Sequence, residues 1–177
     1  MPVLAETPVP ESGRVMVSIE YRVGIRVDLQ RGLGHTSGLK LKGADAMPTI
    51  PIGAKGTFTL VVAPEHLANR FKDATLPPVL ATPIMIMMME NAALNALKPY
   101  LEAGQSAVGS HVDVSHLAAT KLGRSVTAVA EVTARDGRRI EFAVEASDDR
   151  RKIGTGTHQR MLIDVAAFSA RLDQSDR

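Results

Sequence analysis

One carboxylate and one imidazole are the candidates for acid–base chemistry in this sequence. Glu90 follows six apolar residues, Ile84 to Met89, in a helical pattern, and it lies off the polar stripe of that helix. A carboxylate on an apolar face must find a partner, or its pKa rises and it stays neutral. His116 ends a predicted strand, on the apolar side of the alternation. If this side packs on the helix, Glu90 and His116 meet as an acid–base pair.

Each of these residues also has a purely structural interpretation. Glu90 can bond to a backbone group or lie in a subunit interface, and a bond between Glu90 and His116 can be structural alone. Thr82 and Pro83 are residue types that open a helix, with the Thr82 hydroxyl as its cap. The same hydroxyl lies beside free N–H donors, which favour a developing oxyanion. The residues alone leave both interpretations open.

One long helix and a series of strands must position these groups. The helix is predicted from Thr82 to Gly104, where glycine favours a left-handed cap. Period-two alternation predicts strands at 15–29, 56–62, 107–116, 124–135, 138–146 and 151–164, with helical pieces at 64–71 and 165–172. A long apolar helix followed by antiparallel strands predicts an α+β fold in which the long central helix packs against the sheet.

Alternation also predicts which side chains share a face of the sheet. In the strand at 107–116 it places Gly109 and His111 on the face opposite to His116. In the last strand, His158 and Arg160 share a face with two glycines. Glycines on a strand indicate that another group approaches the backbone closely.

Composition excludes several classes of function. The chain has 177 residues, a net charge of +2, four Phe, two Tyr and no Trp, which argues against nucleic-acid binding. It has no cysteine, so disulfides and a thiol nucleophile are excluded, and a cytoplasmic location is expected. The longest apolar run is too short to span a bilayer, and no histidine pair has metal-ligand spacing. We therefore expect no membrane partner and no metal.

Several motifs resemble those of hotdog-fold thioesterases, and more narrowly of the fluoroacetyl-CoA thioesterase-like branch. They are Leu-Ala-Thr-Pro at 80–83, Met-Met-Glu-Asn-Ala-Ala at 88–93, the stretch at 108–120, Gly-Arg-Arg at 137–139 and Gly-Thr-Gly-Thr-His-Gln-Arg at 154–160. The resemblance covers roughly Gly53 to Phe168 and lies within a predicted thioesterase-like domain at 47–177. Residues 1–46 are predicted to be an extension with a disordered start, one strand and a glycine-rich linker. The strand at 15–29 is a candidate to pair with a sheet edge.

The resemblance implies a hotdog homodimer that hydrolyses a short or medium acyl-CoA to the free acid and CoA. Coenzyme A enters as part of the substrate, and no other cofactor is implied. The implied catalytic residues are Thr82, Glu90 and His116. His116 would act as general base or proton shuttle, Glu90 would orient it or attack the acyl carbon, and Thr82 would hold the carbonyl or the water. Gly109 would lie by the thioester carbonyl, and Arg160 would line the site.

The segment that the resemblance identifies as a lid, Asp73 to Pro78, has no aromatic residue. Leu76 is the residue expected to contact the substrate there. Fluoroacetate-detoxifying members carry aromatic residues in this lid, so we expect hydrolysis without selectivity for the fluorinated acetyl group. The alternative function is a non-catalytic hotdog protein that binds or senses acyl-CoA.

Overall fold

The computed structural model describes residues 49–175. Its elements, in chain order, are β1 (Lys55–Val61), a 3-10 turn (Pro64–His66), α1 (Ala68–Phe71), α2 (Thr82–Leu97), a second 3-10 turn (Lys98–Tyr100), β2 (Gln105–His116), β3 (Ser125–Asp136), β4 (Arg139–Asp148), β5 (Lys152–Asp164) and α3 (Val165–Ser175). The α+β class is confirmed, and each element predicted after residue 55 is found. The predicted strand at 15–29 lies outside the described residues, and the domain boundary near residue 47 stays a prediction.

The five strands form one antiparallel sheet in the order β1-β3-β4-β5-β2. The tight turn between β3 and β4 contains Gly137 at φ +57°, in the left-handed region that favours glycine. Among the described strands, β1 and β2 form the two edges of the sheet. No helix between residues 49 and 175 has the length and apolar character needed to cross a membrane.

Helix α2 lies across the sheet and fills the core. A β-carbon on Gly56 of β1 would overlap the backbone of Ala92 and Ala96, so glycine is what allows helix and strand to touch here. On the same face but toward the other edge of the sheet, Met85 and Met89 pack over Gly154 of β5. Nine residues of α2 are buried.

Helix α2 ends earlier than predicted. Regular helix stops at Leu97, and the chain continues as a 3-10 turn to Tyr100. Pro99 explains the change, because proline has no N–H to donate and its ring clashes with the preceding turn. Gly104 does have the expected left-handed conformation, at φ +84°. It turns the chain into β2 instead of capping α2.

Strand β2 contains one residue more than its partner. Gly109 pairs with Arg160 of β5 and His111 pairs with Gln159, so Ser110 is the extra residue of a β-bulge. The bulge exchanges the two faces of the strand. Gly109 before the bulge and His116 after it therefore both face α2, and the prediction that they lie on opposite faces is wrong.

Candidate active site

A cavity of about 260 Å³ opens between α2 and the bulge of β2. It is lined by Pro83, Ile86, Glu90, Gly109, Ser110, His111 and Val112. Two of the predicted site residues, Glu90 and Gly109, thus share one cavity. The lining residues from α2, which are Pro83, Ile86 and Glu90, are three and four residues apart and therefore lie on one face of the helix.

Glu90 is half-buried, and its carboxylate forms part of the cavity wall. Within residues 49–175 the carboxylate accepts no hydrogen bond, so the bond to a backbone group considered above is not found. A β-carbon on Gly109 would lie 2.7 Å from Glu90 Oε1. The missing side chain of Gly109 is therefore what leaves room for the carboxylate.

Arg160 lies behind this wall and is 7% exposed. Its Nη2 donates to the carbonyl of Ala107 at 2.6 Å, and its Nη1 donates to the carbonyl of Glu90 at 3.2 Å. Burial lowers the pKa of Arg160, and the nearby Glu90 charge acts in the opposite direction. Arg160 thus ties β2 to α2 from beneath, and it does not line the cavity in the described chain.

His116 bonds to the start of α2. The Thr82 Oγ1 and the His116 Nδ1 are 2.9 Å apart. Ala81 is the N-cap of α2 and makes no side-chain capping bond, so the prediction of a Thr82 cap is wrong. As the first helical residue, Thr82 directs its hydroxyl to the imidazole instead.

The other imidazole nitrogen of His116, Nε2, is buried and makes no hydrogen bond of good geometry within residues 49–175, although the Ala118 backbone lies near the ring. Burial lowers the pKa of His116, and the nearby Ala118 backbone acts in the opposite direction. The ring is therefore neutral at pH 7 and able to take a proton. A buried polar atom without a partner costs about 1–3 kcal/mol, and such atoms are often found at functional sites.

The predicted contact between Glu90 and His116 is absent from the described chain. Glu90 lies eight residues after Thr82, which is about 12 Å along the helix axis. One end of α2 thus carries the Thr82–His116 pair, and the carboxylate lies two turns further on. Leu76 is half-buried and packs against the hydrophobic core, outside the lining of the cavity.

Sequence reasoning missed part of the cavity wall. Ile86 lies one turn before Glu90, and helical spacing places the two residues on one face without identifying Ile86 as a wall residue. Ser110 and His111 line the cavity because of the bulge, and strict alternation gave no sign of that.

Comparison with known proteins gives a consistent set of relatives. Residues 62–166 match the family model described as fluoroacetyl-CoA-specific thioesterase. A fluoroacetyl-CoA thioesterase from Streptantibioticus cattleyicolor is 38% identical over 128 residues, which make up 70% of this chain and 92% of that protein. A variant of a fluoroacetyl-CoA-specific thioesterase, solved with fluoroacetate and CoA, is 36% identical with a TM-score of 0.63. That match covers 67% of this chain and 98% of the solved one.

The fold extends to more distant proteins. A hot-dog-like protein from Thermanaerovibrio acidaminovorans has a TM-score of 0.64 at 22% identity, over 71% of this chain and 93% of that one. At this identity the likeness shows the fold alone. The predicted hotdog fold is confirmed.

Proposed function

Because the chain belongs to the fluoroacetyl-CoA-specific thioesterase family, we propose that it hydrolyses a short or medium acyl-CoA. Water adds its oxygen to the thioester carbonyl carbon, the carbon–sulfur bond breaks, and the sulfur leaves as the thiol of CoA after gaining a proton. The solved relative that holds fluoroacetate and CoA holds the acid and the thiol that such a reaction yields. Release of free thiol from a panel of short acyl-CoA substrates tests the proposal against a protein that only binds them.

The bond between Thr82 and His116 is the observation that carries this proposal. With the proton on Nδ1, the ring donates to Thr82 Oγ1 and Nε2 keeps a lone pair; with the proton on Nε2, Nδ1 accepts from the Thr82 hydroxyl. In either tautomer, burial lowers the pKa of His116, so one ring nitrogen keeps its lone pair at pH 7. His116 thus serves as the general base or proton shuttle, with Thr82 fixing the plane of its ring.

Glu90 supplies the carboxyl group of the site. Its carboxylate has no hydrogen-bond partner in residues 49–175 and lies against Gly109 at the cavity. Two roles fit this placement, attack on the acyl carbon and activation of water. Rapid quenching during turnover separates them, because only attack by Glu90 leaves an acyl-enzyme.

We extend the proposal to a homodimer with a composite site. Strand β2 is an edge of the described sheet, and an edge strand offers unpaired N–H and C=O groups to another strand. Two copies of β2 related by a two-fold axis run in opposite directions. The proposal places this axis between Val112 and Asp113, so that His116 of one strand lies opposite Gly109 of the other. This arrangement brings His116 toward the partner subunit's Glu90 and explains why the two do not meet in one chain.

Mixing two inactive variants tests the composite site. Glu90→Gln and His116→Ala alone should each lose about 10²–10⁴-fold in turnover while staying folded and dimeric. In a one-to-one mixture after chain exchange, half of the dimers are mixed and each holds one complete site. About a quarter of wild-type activity should therefore return. No recovery, or a monomer by light scattering at micromolar concentration, contradicts the shared site.

Substrate choice follows from the lid, and we predict weak selectivity for fluorine. Leu76 is the apolar residue of this segment that packs on the core, and no aromatic residue accompanies it between Asp73 and Pro78. Small apolar differences between two substrates change the free energy of transition-state binding by about 1–3 kcal/mol. The ratio of kcat/KM for fluoroacetyl-CoA and acetyl-CoA should stay below about 100. A much larger ratio contradicts this account of the lid. A cytoplasmic location stays a prediction.

A further inference from the structure

His158 is the most deeply buried histidine of the described chain, at 1% exposure. Its Nδ1 lies 2.7 Å from the carbonyl oxygen of His111. A carbonyl only accepts hydrogen bonds, so Nδ1 carries the proton and donates it. The ring of Phe142 stacks against the imidazole, with ring centroids 6.0 Å apart. These contacts fix both the tautomer and the plane of the ring.

The second nitrogen of His158 faces Arg160. In a neutral ring protonated on Nδ1, Nε2 has a lone pair, and the Nη1 of Arg160 lies 3.4 Å away as a donor. Burial lowers the pKa of His158 to about 4, with Arg160 acting in the same direction. The imidazole is thus neutral at physiological pH and holds one donor and one acceptor in fixed positions.

Together these two side chains hold both sides of the bulge. Arg160 donates to the carbonyl of Ala107, two residues before Gly109, and His158 donates to the carbonyl of His111, two residues after it. The ladder is interrupted between these points, because Ser110 has no residue opposite it. Side chains of β5 therefore provide hydrogen bonds on each side of the residue that faces Glu90.

We propose that His158 is a positioning residue for hydrolysis, which holds the β2 bulge so that Gly109 and the Glu90 carboxylate keep their places at the cavity. The inference rests on the proposed function. A β-carbon on Gly109 would lie 3.3 Å from His158 Cε1, so the imidazole forms the floor beneath Gly109. Loss of its bond to His111 frees the bulge on the side away from Arg160, and the cavity wall shifts relative to Glu90.

Three substitutions separate this role from a role in stability alone. His158→Phe keeps a ring beside Phe142 and removes both hydrogen bonds. His158→Asn places an amide N–H near the position of Nδ1 and can restore the bond to His111. His158→Gln places its amide near the position of Nε2 and can restore only the contact with Arg160. Turnover of acetyl-CoA and thermal unfolding are measured on the same preparations.

We expect His158→Phe to lower kcat by about 10- to 100-fold with KM nearly unchanged, because the bulge positions the reacting groups. His158→Asn should return to within about threefold of wild type, and His158→Gln should remain close to the Phe variant. Equal kcat in the Asn and Gln variants overturns the inference, even if His158→Phe does not fold. So does unchanged kcat in a folded Phe variant. A wild-type chain that releases no thiol from any acyl-CoA instead overturns the proposed function, and the inference with it.

Discussion

Replacing Gly109 by alanine tests where the Glu90 carboxylate must lie. The new β-carbon would lie 2.7 Å from Glu90 Oε1, whereas ordinary van der Waals contact begins at 3.4 Å. The carboxylate must therefore retreat by about 0.7 Å. Gly109 is not among the glycines with positive φ, so its backbone accepts alanine without strain.

The retreat should affect catalysis more than folding. Oε1 ends a flexible side chain, and His158 Cε1, 3.3 Å from the new β-carbon, has to give by only a few tenths of an ångström. We therefore expect the melting temperature to change by less than about 4 °C. A misplacement of about 1 Å can lower a rate about 10²-fold, and 0.7 Å is close to that. We therefore expect kcat to fall about 10- to 100-fold while KM changes little.

Thiol release and thermal unfolding on the same preparations provide the assay. Thr157→Ala, an exposed position in β5, serves as the control for substitution near the site. Gly156→Ala provides the contrast, because its β-carbon would overlap the backbone of Asp113, which cannot withdraw. That variant should lose stability. A folded Gly109→Ala chain with kcat within about twofold of wild type would refute the idea that Glu90 needs this position.

Three further predictions concern the imidazoles and the extension. Thr82→Ser should keep much of the turnover and Thr82→Val should lose most of it, because only serine keeps the hydroxyl that bonds to His116; equal rates would exclude a role for the hydroxyl. The pKa of His158 in the folded protein is about 4, below the usual 6.5. The contribution of His158 to the free energy of unfolding is therefore fully present above pH 6.5 and decreases as the pH falls toward 4. Urea unfolding should show that the free energy of unfolding falls by roughly 3 kcal/mol between pH 6.5 and pH 4, and the His158→Phe variant should not show this decrease. An equal decrease in both proteins would contradict the prediction. A chain that begins at Met47 should fold and turn over substrate like the full chain, since every proposed site residue follows it; a folded but inactive chain would place the extension in the site.

The sequence predicts the fold well because its patterns are long. Alternation persists over ten or more residues in β3, β4 and β5, and the apolar run of α2 leaves no alternative to burial. The sequence predicts a helix end at Gly104 because glycine is a common left-handed cap residue, whereas α2 ends at Leu97 because of Pro99. A left-handed glycine fits any turn, whereas proline acts directly on the helix that contains it.

The site is less predictable because it depends on single residues. Alternation cannot show a bulge, since Ser110 is ordinary in type and only the pairing with β5 reveals the extra residue. The motif resemblance predicted Thr82, Glu90 and His116 together, yet one chain brings only Thr82 and His116 into contact. The composite site proposed above would account for this difference, because a pattern within one chain does not show which chain supplies each group.

The extra residue in β2 decides which face of the sheet the side chains on either side of it occupy. Gly109 and His116 are seven residues apart, an odd number, and a regular strand would send them to opposite sides of the sheet. With Ser110 inserted, both side-chain positions face α2. Deletion of Ser110 would remove no chemical group from Glu90, Thr82 or His116. It would nevertheless move the side chains of one half of β2 to the opposite face of the sheet. Removal of one residue from this strand therefore changes which face its side chains occupy, and not only its length.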